Sequence, residues 1–567
     1  MKKNLLARGS VIALCTAIAC YSTIASAQQV PGSADAGRVD EQVRMPDELI
    51  QAAPKIEVRE IAIKEAPAGA EKITFPINSL SLEGANAYDR QELETVYKEK
   101  LGKTVSLADL YGIAGDLTRK YRNDGYILTQ VIVPPQTIEG GTARLQVVEG
   151  YVSNVTVQGN DTGAELIRNY AARIQSQGRA TNVKDLEHWM LLVNDLPGVS
   201  ARGVLSPSPT QPGAAELTVI TERDSLDGVV GIDNYGSRYL GKTQMNAALS
   251  GNNLLGLNEK ITGQVAATPL DGLDPELAYV GLNYAQPIFG YGTILDLFAS
   301  KTLTDPGFNL KQFDVDGKSD VLGIGLRHPF YRSRELNFTG RTTFDYRNVD
   351  SNNDIEPTRS DRIRTLRVGG RLEAIDSLIG VGYNIADIEI AHGIDILNAS
   401  QEDDFVSRPE ADPDFYKVNA EFQRLQRLTS SLNLLVGLTG QWANNALYSS
   451  EEFGVGGINY GRGYDPSEIT GDDGIAGKVE IQWTEPYQLP YFESYQLFGF
   501  YDAGKVWNKD ATTSDEKNDS LASAGVGVRM NLPMQIDAGA MLALPLTRTP
   551  EVEDDSGRVL FTLSKSF

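Results

Sequence analysis

The sequence predicts an all-β transmembrane barrel of about sixteen antiparallel strands, preceded by two small α+β modules. Three observations carry that expectation. The tail GRVLFTLSKSF sets Val559, Phe561, Leu563 and Phe567 on one face of an extended strand, interrupted by Lys565, with Arg558, Thr562, Ser564 and Ser566 on the other. That pattern suits a wall between lipid and water. From Ser225 onward, about 340 residues break into short alternating segments rich in Gly, Tyr and Asn, with turn residues recurring at close intervals. At roughly ten residues per tilted span plus a connection, this is about sixteen strands, enough to enclose an aqueous lumen. Beyond the N-terminal segment no apolar run is long enough for a membrane helix, and the mean hydropathy is only -0.25. Any spans must therefore be hidden in alternation, as in barrels whose lumen-facing and lipid-facing residues take turns.

Taken from the N-terminus, Lys2, Lys3 and Arg8 precede a mostly apolar run from Val11 to Ile24, and Ala25-Ser26-Ala27 supplies small residues for cleavage. We expect residues 1–27 to be a signal peptide removed after Ala27. Acylation at Cys20 is the alternative, but Ala17-Ile18-Ala19 is a poor approach to it. Both cysteines, Cys15 and Cys20, fall in this leader, so the mature chain would hold neither a disulfide nor a thiol nucleophile. Residues 28–70 are rich in Ala, Pro and Gly, with one charged segment, AGRVDEQVRMPDELIQ, read as a short helix stopped by Pro46. We expect a plug or tether there, followed by a linker.

Residues 71–149 and 150–224 read as two compact modules with one element order, β-α-α-β-β. In the first, Ile73 to Leu82 alternates as a strand and a polar helix follows Asp89. Ser106 then caps a helix whose stripe of Leu107, Leu110, Ile113, Ala114, Leu117 and Tyr121 ends at Gly125. Strands at 126–133 and 143–150 complete it. The second runs from a strand at Val152 to Val157, through helices around Ala164 to Ile174 and from Asn182 onward, to strands near Val199 to Leu205 and Glu216 to Thr221. Residues 225–567 form the expected barrel.

The formal net charge of -23 becomes -26 once the leader's Lys2, Lys3 and Arg8 are gone, which argues against nucleic acid as a partner. The acid excess suits solvated loops, with Asp472-Asp473 and Asp554-Asp555 as patches open to divalent ions. No catalytic constellation stands out. His188, His328 and His392 lack ligand spacing, and there is no GxSxG elbow, phosphate-binding glycine loop or HExxH helix. His188, beside Trp189 on an expected helix, reads as an interfacial residue. We expect no enzyme activity, no cofactor and no metal centre.

Counting strands back from Phe567 at the inner rim places the connection at 547–556 outside, the turn at 532–535 inside and 508–518 outside. Next come a strand at 494–507, an inner turn at 487–493 and a strand at 476–485. The long connection at 444–473 is then external. It carries GVGGINYGRGYDPSEITGDDG. Arg462, between Gly461 and Gly463, can approach a wall closely because neither neighbour has a side chain to hold the backbone off. A guanidinium against Asp502 of the strand 494–507 can make two parallel charge-assisted hydrogen bonds.

Gly461-Arg462-Gly463-Tyr464 resembles the loop motif of the Omp85 superfamily, and Phe500-Tyr501-Asp502-Ala503-Gly504 resembles its partner motif on the barrel's inner wall. With two modules similar to POTRA domains, the segment PGSADAGRVDEQ and the phrases DNYGSRYLG and NNLLGLNE, the resemblance is to two-partner secretion transporters, the haemolysin secretion and activation family. It implies an outer-membrane transporter of a Gram-negative bacterium, its POTRA domains in the periplasm, that takes a large exoprotein with an N-terminal secretion domain and passes it unfolded to the cell surface without ATP. It also implies a loop-to-wall lock of Arg462 and Asp502, supported by Gly461, Gly463, Tyr464, Phe500 and Gly504, and a plug helix around Arg38 to Met45. Phe567 would be a barrel-insertion signal read by the barrel assembly machinery, with outer-membrane lipid and lipopolysaccharide around the wall. An outer-membrane assembly factor would share the barrel and loop but usually carries more modules, and a passive porin would leave the modules unexplained.

Overall fold

The computed structural model describes residues 30–43, 56–58, 63–159, 163–175, 179–211, 213–269, 275–354, 359–401, 404–485, 493–511, 517–549 and 556–567. The leader with Cys15 and Cys20, Met45, and the pair Asp554-Asp555 lie outside them.

Alternation of small, apolar and polar groups from Leu226 to Ser566 closes into a barrel of sixteen antiparallel strands. Each is hydrogen-bonded to the next in sequence around the connection at 444–472, and the last, Arg558–Ser566, returns to the first, Leu226–Asp233. The terminal strand turns Val559, Phe561 and Leu563 outward and Leu560 inward, as a lipid-facing wall requires. Phe567 exchanges backbone hydrogen bonds with Gly228 (3.0 Å each way), and its ring lies where a Cβ on Gly228 would stand. Among the described residues no helix is long and apolar enough to cross a membrane.

In the first module, Ser106 accepts from the Asp109 amide while the Asp109 carboxylate accepts from the Ser106 amide, a reciprocal cap that starts the helix Leu107–Asn123. That helix buries Leu110, Ile113, Leu117 and Tyr121 against the sheet of Ser79–Glu83, Thr142–Val148 and Gln130–Ile132. Leu117 is wholly buried, so Leu117→Ala should destabilise a soluble 71–223 fragment by about 2–5 kcal/mol in urea melts.

The order expected for this module needs correction. The stretch 73–82 is two strands, Thr74–Ile77 and Ser79–Glu83, parted where the Asn78 amide donates to Gly141 O. An extra short strand, Lys103–Ser106, pairs with the first of them. The stretch expected as a strand at 126–133 contributes only Gln130–Ile132. Tyr126 instead closes the helix end by donating to Tyr121 O, and Leu128 is buried in the second module's core.

The second module has the order β-α-α-β-β: Tyr151–Gln158, Ala164–Ala172, Val183–Asn194, Val199–Pro207 and Ala214–Arg223. Its sheet gains a strand from the preceding linker, since Ile56–Val58 pairs in parallel with Gly203 to Leu205. The module also meets one rim of the barrel. Arg332, the last residue of the strand Asp316–Arg332, makes a two-pronged salt bridge to Asp195 (2.7 and 2.9 Å), and His188 Nδ1 lies 3.0 Å from Arg332 O.

Candidate functional site

The connection 444–472 does not stand away from the barrel. It folds inward, with a short hairpin of Phe453–Val455 and Ile469–Gly471 packed on the inner wall. Gly504 makes that approach possible, because a Cβ there would sit 2.6 Å from Val455 Cγ1. Gly461 has φ +97°, a left-handed backbone in which any Cβ is strained, and this turn aims Arg462 at the wall. A Cβ on Gly463 would meet backbone of Leu544 and Pro545 at 2.9–3.0 Å, so the loop lies directly against the wall.

Arg462 is 3% exposed and Asp502 fully buried. Arg462 Nε donates to Asp502 Oδ2 (2.9 Å) and Nη2 to Oδ1 (2.8 Å), the parallel fork of a guanidinium on a carboxylate. The backbone amides of Gly461 and Arg462 also donate to Asp502 Oδ2 (3.3 and 3.1 Å), and the Ser523 hydroxyl approaches it at 3.4 Å. The guanidinium carbon sits 3.5 Å from the centroid of the Phe500 ring. Tyr464 adds a second tether: its hydroxyl donates toward Ala522 O and Thr547 O (3.0 and 2.5 Å) and accepts from the Thr547 amide (3.0 Å).

Two partners of this cluster escaped the sequence reading. Arg462 Nη1 donates to Glu480 Oε2 (2.5 Å), and Glu480 also accepts from Arg529 (2.7 and 3.2 Å) and Gln482 (2.9 Å). Arg529 stacks on Phe498, 3.9 Å from its ring centroid. Gly525 and Gly527 on the neighbouring strand give the Phe500 and Phe498 rings room, since a Cβ on either would lie 2.5 Å from a ring atom. Only the lumen side of Glu480 could be read from sequence: in AGKVEIQWTE it shares the parity of Ala476, Lys478 and Gln482, while Val479, Ile481 and Trp483 face lipid. Asp472 corrects the expectation of a solvated acidic pair. It is fully buried, holds Arg408 (2.6 and 3.1 Å) and accepts from the amides of Leu447 (2.7 Å) and Lys509 (2.8 Å).

The described N-terminal residues lie inside the barrel. Ala34 and Val39 are buried with Tyr239, Leu240, Leu277 and Leu310. Arg38 donates to Ser449 O (2.7 Å), Glu452 O (3.0 Å) and Ser467 Oγ (3.3 Å), all on the inward-folded connection. Arg347 of the wall donates to Gly37 O, and the Ser300 hydroxyl to Asp40 (2.9 Å). The helical part is short, Ala36–Arg38 followed by Val39–Val43. Among the described residues no cluster of His, Cys, Asp and Glu has the makings of a three-ligand metal site.

Residues 216–530 match the family model described as haemolysin secretion/activation protein ShlB/FhaC/HecB, and residues 75–150 match the ShlB-type POTRA domain. The chain is 26% identical over 545 residues to the heme/hemopexin transporter protein HuxB of Haemophilus influenzae strain 86-028NP, covering 94% of each chain. It is 23% identical over 508 residues to the outer membrane transporter CdiB of Escherichia coli, covering 86% of this chain and 82% of the relative. Among solved structures, CdiB from Escherichia coli superposes with a TM-score of 0.71 at 20% identity, covering 89% of this chain and 92% of that one. BamA from Haemophilus ducreyi lacking POTRA domains 1–3 superposes at 0.53 and 15% identity, covering 87% of this chain and all of that one. With the family model spanning more than half of its length and a closed sixteen-strand barrel behind the inward-folded loop, the chain belongs to the haemolysin secretion/activation protein family ShlB/FhaC/HecB of outer-membrane transporters.

Proposed function

We propose that this protein exports one large partner exoprotein by two-partner secretion and is not an enzyme. The modules capture the partner's N-terminal secretion domain in the periplasm in unfolded form, the barrel lumen conducts it as an extended chain, and folding outside hinders its return. The single observation that carries this reading is the loop held inside the lumen by Arg462 on Asp502 and Glu480. A passive pore has no need of a buried three-way charge cluster that pins a loop to its inner wall. In this reading Arg462 and Asp502 are the lock that sets the barrel's conformation, Gly461, Gly463 and Tyr464 shape the loop, and Phe500 and Gly504 shape the wall. Residues 30–43 act as the plug, and Arg38 joins plug to loop. The outward apolar band meets outer-membrane lipid, with lipopolysaccharide on the cell-surface side, and Phe567 is the residue that the barrel assembly machinery reads.

Capture rests on unpaired strand edges, which offer backbone donors and acceptors to an extended segment. Ser79–Glu83 and Gln130–Ile132 bound the first sheet, and Tyr151–Gln158 is the outer strand of the second. A soluble fragment from Glu71 to Arg223 should therefore bind the partner's N-terminal region in its unfolded form in low-salt titrations. Absence of binding, or binding of folded partner alone, would rule out capture by strand addition.

A further inference from the structure

Where the N-terminal segment meets the outer end of the barrel, two carboxylates line a small cavity of about 30 Å³, room for one water-sized occupant. One is Asp35, at the start of the short helical turn; the other is Asp361, on the wall strand Arg359–Asp376. Asp35 accepts from the Gly37 amide (2.7 Å) and Asp361 from the Ser407 amide (2.8 Å). Among the described residues neither forms an ion pair. The nearby arginines are engaged elsewhere: Arg38 on Ser449, Glu452 and Ser467, Arg347 on Gly37 O, and Arg359 over the Phe405 ring at 5.6 Å. Asp350, which also lines the cavity, is paired to Arg362 at 2.7 Å.

An independent feature points into the same space. Thr304 lines the cavity, is 4% exposed, and its hydroxyl has no hydrogen-bond partner among the described residues. That oxygen stands over Gly317 beside Ala36, where a Cβ on Gly317 would come within 2.4 Å of it. Buried carboxylates without a direct ion pair and a buried hydroxyl without a partner are each costly. Burial accordingly pushes the Asp35 carboxyl above its ordinary range, against the pull of the Gly37 amide and of Arg38 and Arg347.

We propose that this cavity binds one divalent cation, Ca²⁺, through the carboxylates of Asp35 and Asp361 and the hydroxyl of Thr304, pinning the N-terminal segment to the barrel wall. The donors are all hard oxygens, and two carboxylates balance a double charge. A small donor set in a space too tight for retained water suits Ca²⁺ better than Mg²⁺, which demands near-octahedral geometry and sheds water reluctantly. Three side chains supply fewer than the roughly six to eight oxygens that calcium takes, so binding is weak and reversible. The site opens on external loops, where it would sense the ion outside the cell. The regulatory part rests on the plug reading above; the binding site does not.

The test uses the full-length mature protein in detergent, stripped with EDTA and titrated with TbCl3. Tyr448, next to Ser449 and within electrostatic reach of Asp361, serves as sensitiser. We expect saturable Tb³⁺ luminescence that CaCl2 displaces, lost in Asp361→Asn and in Asp35→Asn, and kept in Asp350→Asn. Asp35→Asn lies off the barrel strands, so a heat-modifiable barrel in that variant excludes misfolding. In planar bilayers, CaCl2 should reduce opening several-fold relative to EDTA in the wild type and have no effect in either of the first two variants. Luminescence unchanged by both substitutions would overturn the site, as would opening that follows pH in EDTA and ignores CaCl2, which would assign the pair a shared proton. Binding with the expected variant pattern but no effect on opening would keep the site and remove its regulatory role.

Discussion

Arg462→Ala should reduce release of the partner exoprotein roughly a hundredfold or more while leaving a heat-modifiable barrel at wild-type abundance in the outer membrane. Removing the guanidinium leaves Asp502 fully buried with only two backbone amides and a hydroxyl, and leaves Glu480 to Arg529 and Gln482. Leaving one member of a buried pair uncompensated costs about 3–5 kcal/mol. Each 1.4 kcal/mol is about a factor of ten in an equilibrium, so the loop's docked state should lose most of its population. Arg462→Lys keeps the charge but not the fork, and should fall between the two. Secretion assays at matched barrel abundance check this, and wild-type release by Arg462→Ala would end the proposed role.

Deleting Gly37 to Gln51 while retaining the leader should raise single-channel conductance several-fold. Arg38, Gly37 and Asp40 tie the segment to the inward-folded loop and to the wall, and Val39 is buried in the lumen. Without that material the pore is wider. Secretion should persist, because capture is assigned to the modules and conformational control to Arg462. Arg38→Ala, which removes three hydrogen bonds to the loop, should give a smaller increase in the same direction. Unchanged conductance in planar bilayers after the deletion would mean that the segment is a leader and not a plug.

The barrel could be read from sequence because each span carries a two-residue period set by lipid on one side and water on the other, and strand count follows from length. Strand counting back from Phe567 made the connection at 444–473 external and two glycines allowed Arg462 a close approach, but the choice of Asp502 as its partner came from the resemblance of the two motifs to a known loop and wall pair. Glu480 was not found because one acid in an amphipathic strand looks like any lumen residue until the register sets it across from Phe500. The strand Ile56–Val58 was missed for a related reason: three residues of alternation in a linker have no period to detect, and their partner, Gly203 to Leu205, is far along the chain. Asp472 illustrates the limit of charge reading, because its burial depends on Arg408 and the Lys509 amide, which only the fold brings to it. At 126–129, apolar alternation served a helix stop and a contact with the next module, and only Gln130–Ile132 became strand.

The most direct measurement of the central claim is transport by the purified protein alone in proteoliposomes. The unfolded N-terminal secretion region of the partner is presented on the module side, and its arrival across the bilayer is scored by protection from added protease. The account predicts protected partner without ATP or any other protein, absent with Arg462→Ala and absent when the partner is folded beforehand. Protection that requires ATP, that is equal for folded partner, or that survives unchanged in Arg462→Ala would contradict it.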